Sequence, residues 1–147
     1  MTREDLEQIR KLAEQIASGL EHLAELHARA ESRAIRYNTI GGSHGSPVNK
    51  LELVECAIDE QERRIDRMID RRYALKLRAL TEIKAAGLEV EERHIIYLRY
   101  LSRDRKTGLP LSWPQVIRPV NLYHNIQERK IRYLHDHAVS ILASYHI

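Results

Sequence analysis

The side chains able to do chemistry gather in the last third of the chain. Gln127, Arg129, Lys130, Arg132 and His135 follow one another at helical spacing, Asn125 stands at the head of the run and Arg118 just before it. A second basic group, Arg103, Arg105 and Lys106, lies in the connector SRDRKTGLPL. These residue types are suited to holding oxygen and nitrogen acceptors rather than to making bonds. An arginine can bridge two acceptors on a guanine edge, and a lysine meets a phosphate as a point charge. The ten residues are therefore candidates for an interface with double-stranded DNA, set against the plain alternative that a basic helix is merely solvated.

Two elements must position them. Ser112 with Gln115 three residues on forms a capping-box pattern, and Trp113-Pro114 enters the first turn, where a missing N–H costs little. Pro119 disfavours helical geometry at Arg118, which predicts a short helix stopping near Arg118 and a break over residues 120–124. Asn125 with Glu128 then predicts the cap of a second helix. Along it Ile131, Leu134, Ala138, Ile141, Leu142 and Tyr145 recur on one face and are the expected core, leaving Gln127, Arg129, Lys130, Arg132 and His135 on the other. A capped short helix, a break and a longer helix with one basic edge are the sequence form of a helix-turn-helix.

Charge distribution agrees with that placement. Residues 1–87 carry 15 basic and 15 acidic side chains, and residues 88–147 carry 9 and 6, so the whole excess of +3 lies in the second segment. Between residues 93 and 135 those 9 basic groups face only Asp104 and Glu128. Such segregation is the electrostatic footprint of a polyanion partner. The single cysteine, Cys56, excludes an internal disulfide and reads as a packing residue. No apolar run is long enough to span a membrane and no signal peptide opens the chain, so no membrane partner and a cytoplasmic location are expected.

The first 87 residues predict two long helices. Thr2 with Asp5 caps the first, and Leu6, Ile9, Ala13, Ile16, Leu20, Leu23, His27, Ala30 and Ala34 step 3,4,3,4 as a heptad seam, with Gly19 a soft spot. The helix is expected to give out over residues 37–46, YNTIGGSHGS. Ser46-Pro47 restarts a helix running to Gly87, with Leu51, Val54, Ile58, Ile65, Ile69, Tyr73, Leu77, Leu80 and Ile83 as its stripe. The pattern fits an antiparallel hairpin within one chain and association between subunits equally well, and a homodimer through these helices is expected. A third helix is expected from Leu88 to Leu101. The fold class is thus all-α: residues 1–87 a coiled-coil-like helical hairpin for oligomerisation, residues 88–147 a helix-turn-helix domain.

The runs LEVEERHIIYLRYL, SWPQVI and KIRYLHDHAVSIL together resemble region 4 of sigma-70 factors, and the layout of the chain is similar to that of phage and prophage regulators of the ArpU and RinA type. On that resemblance Leu98, Arg99 and Tyr100 match an L-R-Y helix end, Ser112 and Trp113 the start of the short helix, and Ile131, Leu134, His135 and Ala138 the frame of a recognition helix. It implies a DNA-binding transcriptional regulator of late phage genes, with RNA polymerase as a second candidate partner. The connector before Ser112 is longer than the family's turn, Pro114 and Pro119 bracket the first helix, and HNIQ adds residues before the second.

Three other readings stand beside this one. An enzyme is not expected: there is no H-E-x-x-H, G-x-S-x-G, P-loop or dinucleotide fingerprint, and the rings of His135 and His137 project about 200° apart on a helix, poor for one metal. No catalytic residue, metal or cofactor is assigned. A phage DNA-packaging component similar to a terminase small subunit, and a coiled-coil interaction protein that binds no DNA, are the alternatives.

Overall fold

The computed structural model describes residues 1–40 and 46–145. It is all-α: α1 (Arg3–Ile40), α2 (Ser46–Ala85), α3 (Val90–Ile96) continued by a π-helical turn (Tyr97–Leu101), α4 (Trp113–His124) and α5 (Glu128–Ser144). The cap expected at the start of the first helix forms. Thr2 and Asp5 bond reciprocally at the start of α1, α2 starts at Ser46, and Gly87 follows α2 with φ +68°, the left-handed geometry that ends helices. The turn expected over 37–46 is helical as far as Ile40, and its remainder, residues 41–45, lies outside the described residues.

Cα proximity divides the chain into two compact units, Gln15–Ile69 and a second made of Met1–Glu14 with Asp70–Ile147. The division expected at residue 87 is thus not where the compact units part. The reason is visible in the second unit's core: Leu6 and Ile9 from the start of α1 and Ala79 and Ile83 from the end of α2 pack with Ile96, Tyr100, Ala138 and Leu142.

Within Gln15–Ile69, α1 and α2 run antiparallel in the same chain. Gly19 meets Ile65 and Gln61, Gln61 Nε2 donates to the Gly19 carbonyl at 3.2 Å, and Leu26 packs with Val54 and Ile58. The seam departs from the expected one after Ile16, since Gly19 and Leu26 are buried while Leu20 and His27 are exposed. Glycine allows the close approach, and burying Leu26 in place of His27 spares the desolvation of a polar ring. In the other unit Tyr73, Leu77 and Leu80, expected on the buried stripe of α2, are exposed. Ile83 is buried as expected, and the face turned inward with it carries Arg72 and Ala79.

Arg72 faces inward because the π turn needs it. The turn leaves terminal carbonyls without helical partners, and two arginines supply donors: Arg72 Nη2 to Leu101 O at 3.1 Å and Arg10 Nη1 to Arg99 O at 2.6 Å. Arg10 also donates to Leu111 O at 2.9 Å, tying the start of α1 to the segment that leads into α4. The α-ammonium of Met1 pairs with Glu82 at 2.5 Å and donates to the Leu142 carbonyl.

Candidate nucleic-acid interface

Residues 112–145 build a helix, a three-residue turn and a second helix. Ser112 and Gln115 form the expected capping box, with Ser112 N donating to Gln115 Oε1 at 2.9 Å. The helix does not stop at Arg118. It runs through Pro119 to His124, because Val116 and Val120 are both buried and hold the turns on either side. Pro119 and Gln115 are exposed, so the carbonyl that loses its partner faces water.

Asn125 does not cap the second helix either. It closes α4 in the left-handed conformation, φ 54° and ψ 47°, its N–H donating to Asn121 O at 2.9 Å. Asparagine tolerates that geometry better than most residues. Asn121 Nδ2 then donates to Ile126 O at 2.8 Å, bracing the turn. Ile126 drops into a core with Ile95, Val116, Val120 and Ile131. Gln127 is therefore the residue that precedes the first turn of α5.

The expected site residues sort cleanly. Arg129, Lys130 and Arg132 are exposed on the first turns of α5 and Gln127 just before it; Asn125 is exposed in the turn and Arg118 on α4. Arg103, Arg105 and Lys106 are exposed on the connector. His135 is a correction: it is 2 % exposed, within the core rather than on the basic edge. Tyr100 Oη donates to His135 Nε2 at 2.7 Å and His135 Nδ1 bonds Asp136 Oδ1 at 2.9 Å, which assigns the Nδ1–H tautomer. Burial pushes His135 below its ordinary value, against the opposing pull of Asp136. Burial also pushes the Tyr100 hydroxyl up to about 12, so it stays a donor. The apolar frame expected for α5 holds, with Ile131, Ala138 and Leu142 buried and Leu134 and Ile141 partly so.

Two features of the edge escaped the sequence reading. Trp113 is a platform: the Arg99 guanidinium lies 4.5 Å from its ring centre and the Arg132 guanidinium 4.8 Å. Arg132 is held further by Glu128, Nε to Oε1 3.3 Å. A cation over an indole is attracted by the ring quadrupole, so Arg132 is ordered before any partner arrives. Tyr133, 66 % exposed, stands one turn beyond Arg129 and supplies a flat apolar surface among the basic groups. The signal that would have found it is spacing, since Tyr133 is four residues after Arg129.

The connector is built rather than slack. Asp104 Oδ1 accepts from the N–H groups of Lys106 at 2.8 Å and Thr107 at 3.0 Å, and Oδ2 from Gln115 Nε2 at 3.1 Å. Those backbone bonds hold the Asp104 carboxyl below the usual range. Gly108 closes the turn at φ +71° and Arg103 pairs with Pro110 as an isolated bridge. Between α3 and α4, His94 Nδ1 and His124 Nε2 lie 3.0 Å apart. Burial first, and the neighbouring His124 second, push His94 down. Among the described residues no three metal-ligating side chains converge.

The fold and this edge together define an all-α protein with a helix-turn-helix unit whose second helix carries an exposed basic edge. No family model, curated protein or solved structure matches the chain.

Proposed function

We propose that the protein is a sequence-specific DNA-binding transcriptional regulator of the phage or prophage late-gene kind, a binding protein and not an enzyme, working in the cytoplasm. The observation that carries the reading is the edge of α5: Gln127, Arg129, Lys130 and Arg132 exposed at the N-terminal end of the second helix, with Arg132 set on Trp113. That is the end from which a recognition helix meets base edges in the major groove. The local excess of basic residues supports it, as does the resemblance to sigma-70 region 4.

Duplex DNA is the partner. RNA polymerase is the second partner that the resemblance suggests, and a second copy of the chain is the third, covering the exposed apolar residues Tyr73, Leu77, Leu80, Val90 and Tyr97. No helix among the described residues is long and apolar enough to cross a membrane. Genome-wide occupancy of the full chain tests the function. Enrichment at a promoter supports it; a single packaging site, with a ring-forming oligomer in light scattering, replaces it by the terminase-like reading, and no enrichment removes DNA binding.

A further inference from the structure

Away from α5, the unit that holds the helix-turn-helix contains a second cluster of cations. A cleft of about 520 Å³ is lined by Lys76 of α2, Tyr97 and Leu101 of the π turn, and Ser102, Arg103 and Arg105 of the connector. Arg72, 8 % exposed, bonds the lining residue Leu101, one N–H donating to its carbonyl. Its Nε has no partner. Lys76 and Arg72 are both pushed down, by burial first and then by neighbouring positive charge, Arg103 acting on each. No carboxylate lies within 4.0 Å of Arg72, Lys76, Arg103 or Arg105 among the described residues. Asp104 lines the same cleft, but its two oxygens are taken by the N–H groups of Lys106 and Thr107 and by Gln115.

A helix-end cap explains one N–H of Arg72 and nothing more. Three cations gathered in a recess whose one carboxylate is bonded to none of them repel one another, and an anion that enters is attracted to all three. The donors are more numerous than a carboxylate can use: two guanidinium groups, an ammonium and the Ser102 hydroxyl match the several acceptor oxygens of a phosphate. We propose that this cleft seats a phosphate group of the DNA backbone, with Lys76 and Arg103 as its principal ligands and Arg105 at the rim, a proposal that rests on the DNA-binding reading above. Such a contact carries no base information and fixes the register in which α5 is presented.

The test uses the full chain and the double variant Lys76→Gln/Arg103→Gln, with circular dichroism as the check on folding. Duplex affinity is measured against salt for a specific and a scrambled sequence, and amide signals of residues 102–108 are followed by NMR with duplex and with inorganic phosphate. We expect the variant to weaken both duplexes alike and to lower the salt slope by about one, the unit that one lost phosphate contact contributes. The amides should move with either ligand in the parent and with neither in the variant. An unchanged slope in the variant, while Arg129→Ala weakens binding, overturns the cleft and leaves the DNA reading standing. Amides that respond to phosphate but not to bound duplex overturn the backbone as the source. A parent chain that binds no duplex sinks the DNA reading itself.

Discussion

His135 shows how a single residue can be legible in position and misread in role. Its place in the helical repeat is one turn from Ile131 and Ala138, which is the buried face, but its polarity suggests the opposite edge. What decides is the pair of partners brought by other elements, Tyr100 from the π turn and Trp113 from α4, whose ring stands edge-on to the imidazole at 4.9 Å. The consequence is a pH dependence with a definite sign. An unfolded histidine takes a proton near pH 6.5, whereas native His135 and His94 both hold theirs below that value because burial disfavours the cation. As pH falls below about 6.5 the unfolded chain binds protons that the native chain refuses, so stability is full above this point and declines below it. Urea midpoints should be flat from pH 8 to 7 and fall towards pH 5, and the NMR titration of His135 should have its midpoint under 6.5. A midpoint at or above that value would remove the neutral His135 held between Tyr100 and Asp136. On the exposed edge, Arg129→Ala should cost about 1 to 3 kcal/mol of binding and relax preference at one base pair, while Lys130→Ala should weaken all sequences alike.

At the scale of elements, α4 and its turn carry the largest departure from expectation. Ser112 with Gln115 was readable because a capping box is a local bargain between neighbours. Pro119 was not, since the penalty for proline in a helix is offset by tertiary burial of Val116 and Val120, about which local spacing says nothing. Asn125 illustrates the same limit: it suits a helix start and a left-handed helix end alike, and only the packing of Ile126 selects the second. Two substitutions separate these effects. Pro119→Ala should raise stability by about 2 kcal/mol, the interior helix penalty of about 3 kcal/mol being reduced by up to about 1 kcal/mol through the proline's stiffening of the unfolded chain. Asn125→Gly should be neutral or better, whereas Asn125→Val should cost 1 kcal/mol or more, because a β-branched residue is strained at φ 54°. Urea unfolding measures both, and a destabilising Pro119→Ala would mean that the proline holds a bend the core depends on.

For the whole molecule, the two-helix start, the restart at Ser46 and the all-α class were all visible in periodicity and in the placement of glycine and proline. How the helices share their faces was not, because a stripe of apolar residues states how much surface must be covered and not by what. Residues 88–147 hold every candidate contact but Lys76, yet their core is completed by Leu6, Ile9, Ala79 and Ile83, and the π turn by Arg10 and Arg72. A fragment of residues 88–147 should therefore lose helicity and bind duplex more weakly than the full chain. Circular dichroism showing native helix content in the fragment would contradict this.

The same sharing leaves Tyr73, Leu77 and Leu80 outward on α2, spaced four and three apart, beside Val90 and Tyr97. Such a strip is costly to leave in water, and in the proposed dimer a second chain would cover it, an isologous contact that would present two copies of α5 to half-sites about one helical turn apart. Leu77→Glu with Leu80→Glu should leave each chain folded, since both side chains already meet solvent, and should shift sedimentation from dimer towards monomer. Operator binding should then weaken more than binding to a single half-site. A parent chain that sediments as a monomer at high micromolar concentration would remove the dimer, and with it the expectation of a two-fold operator.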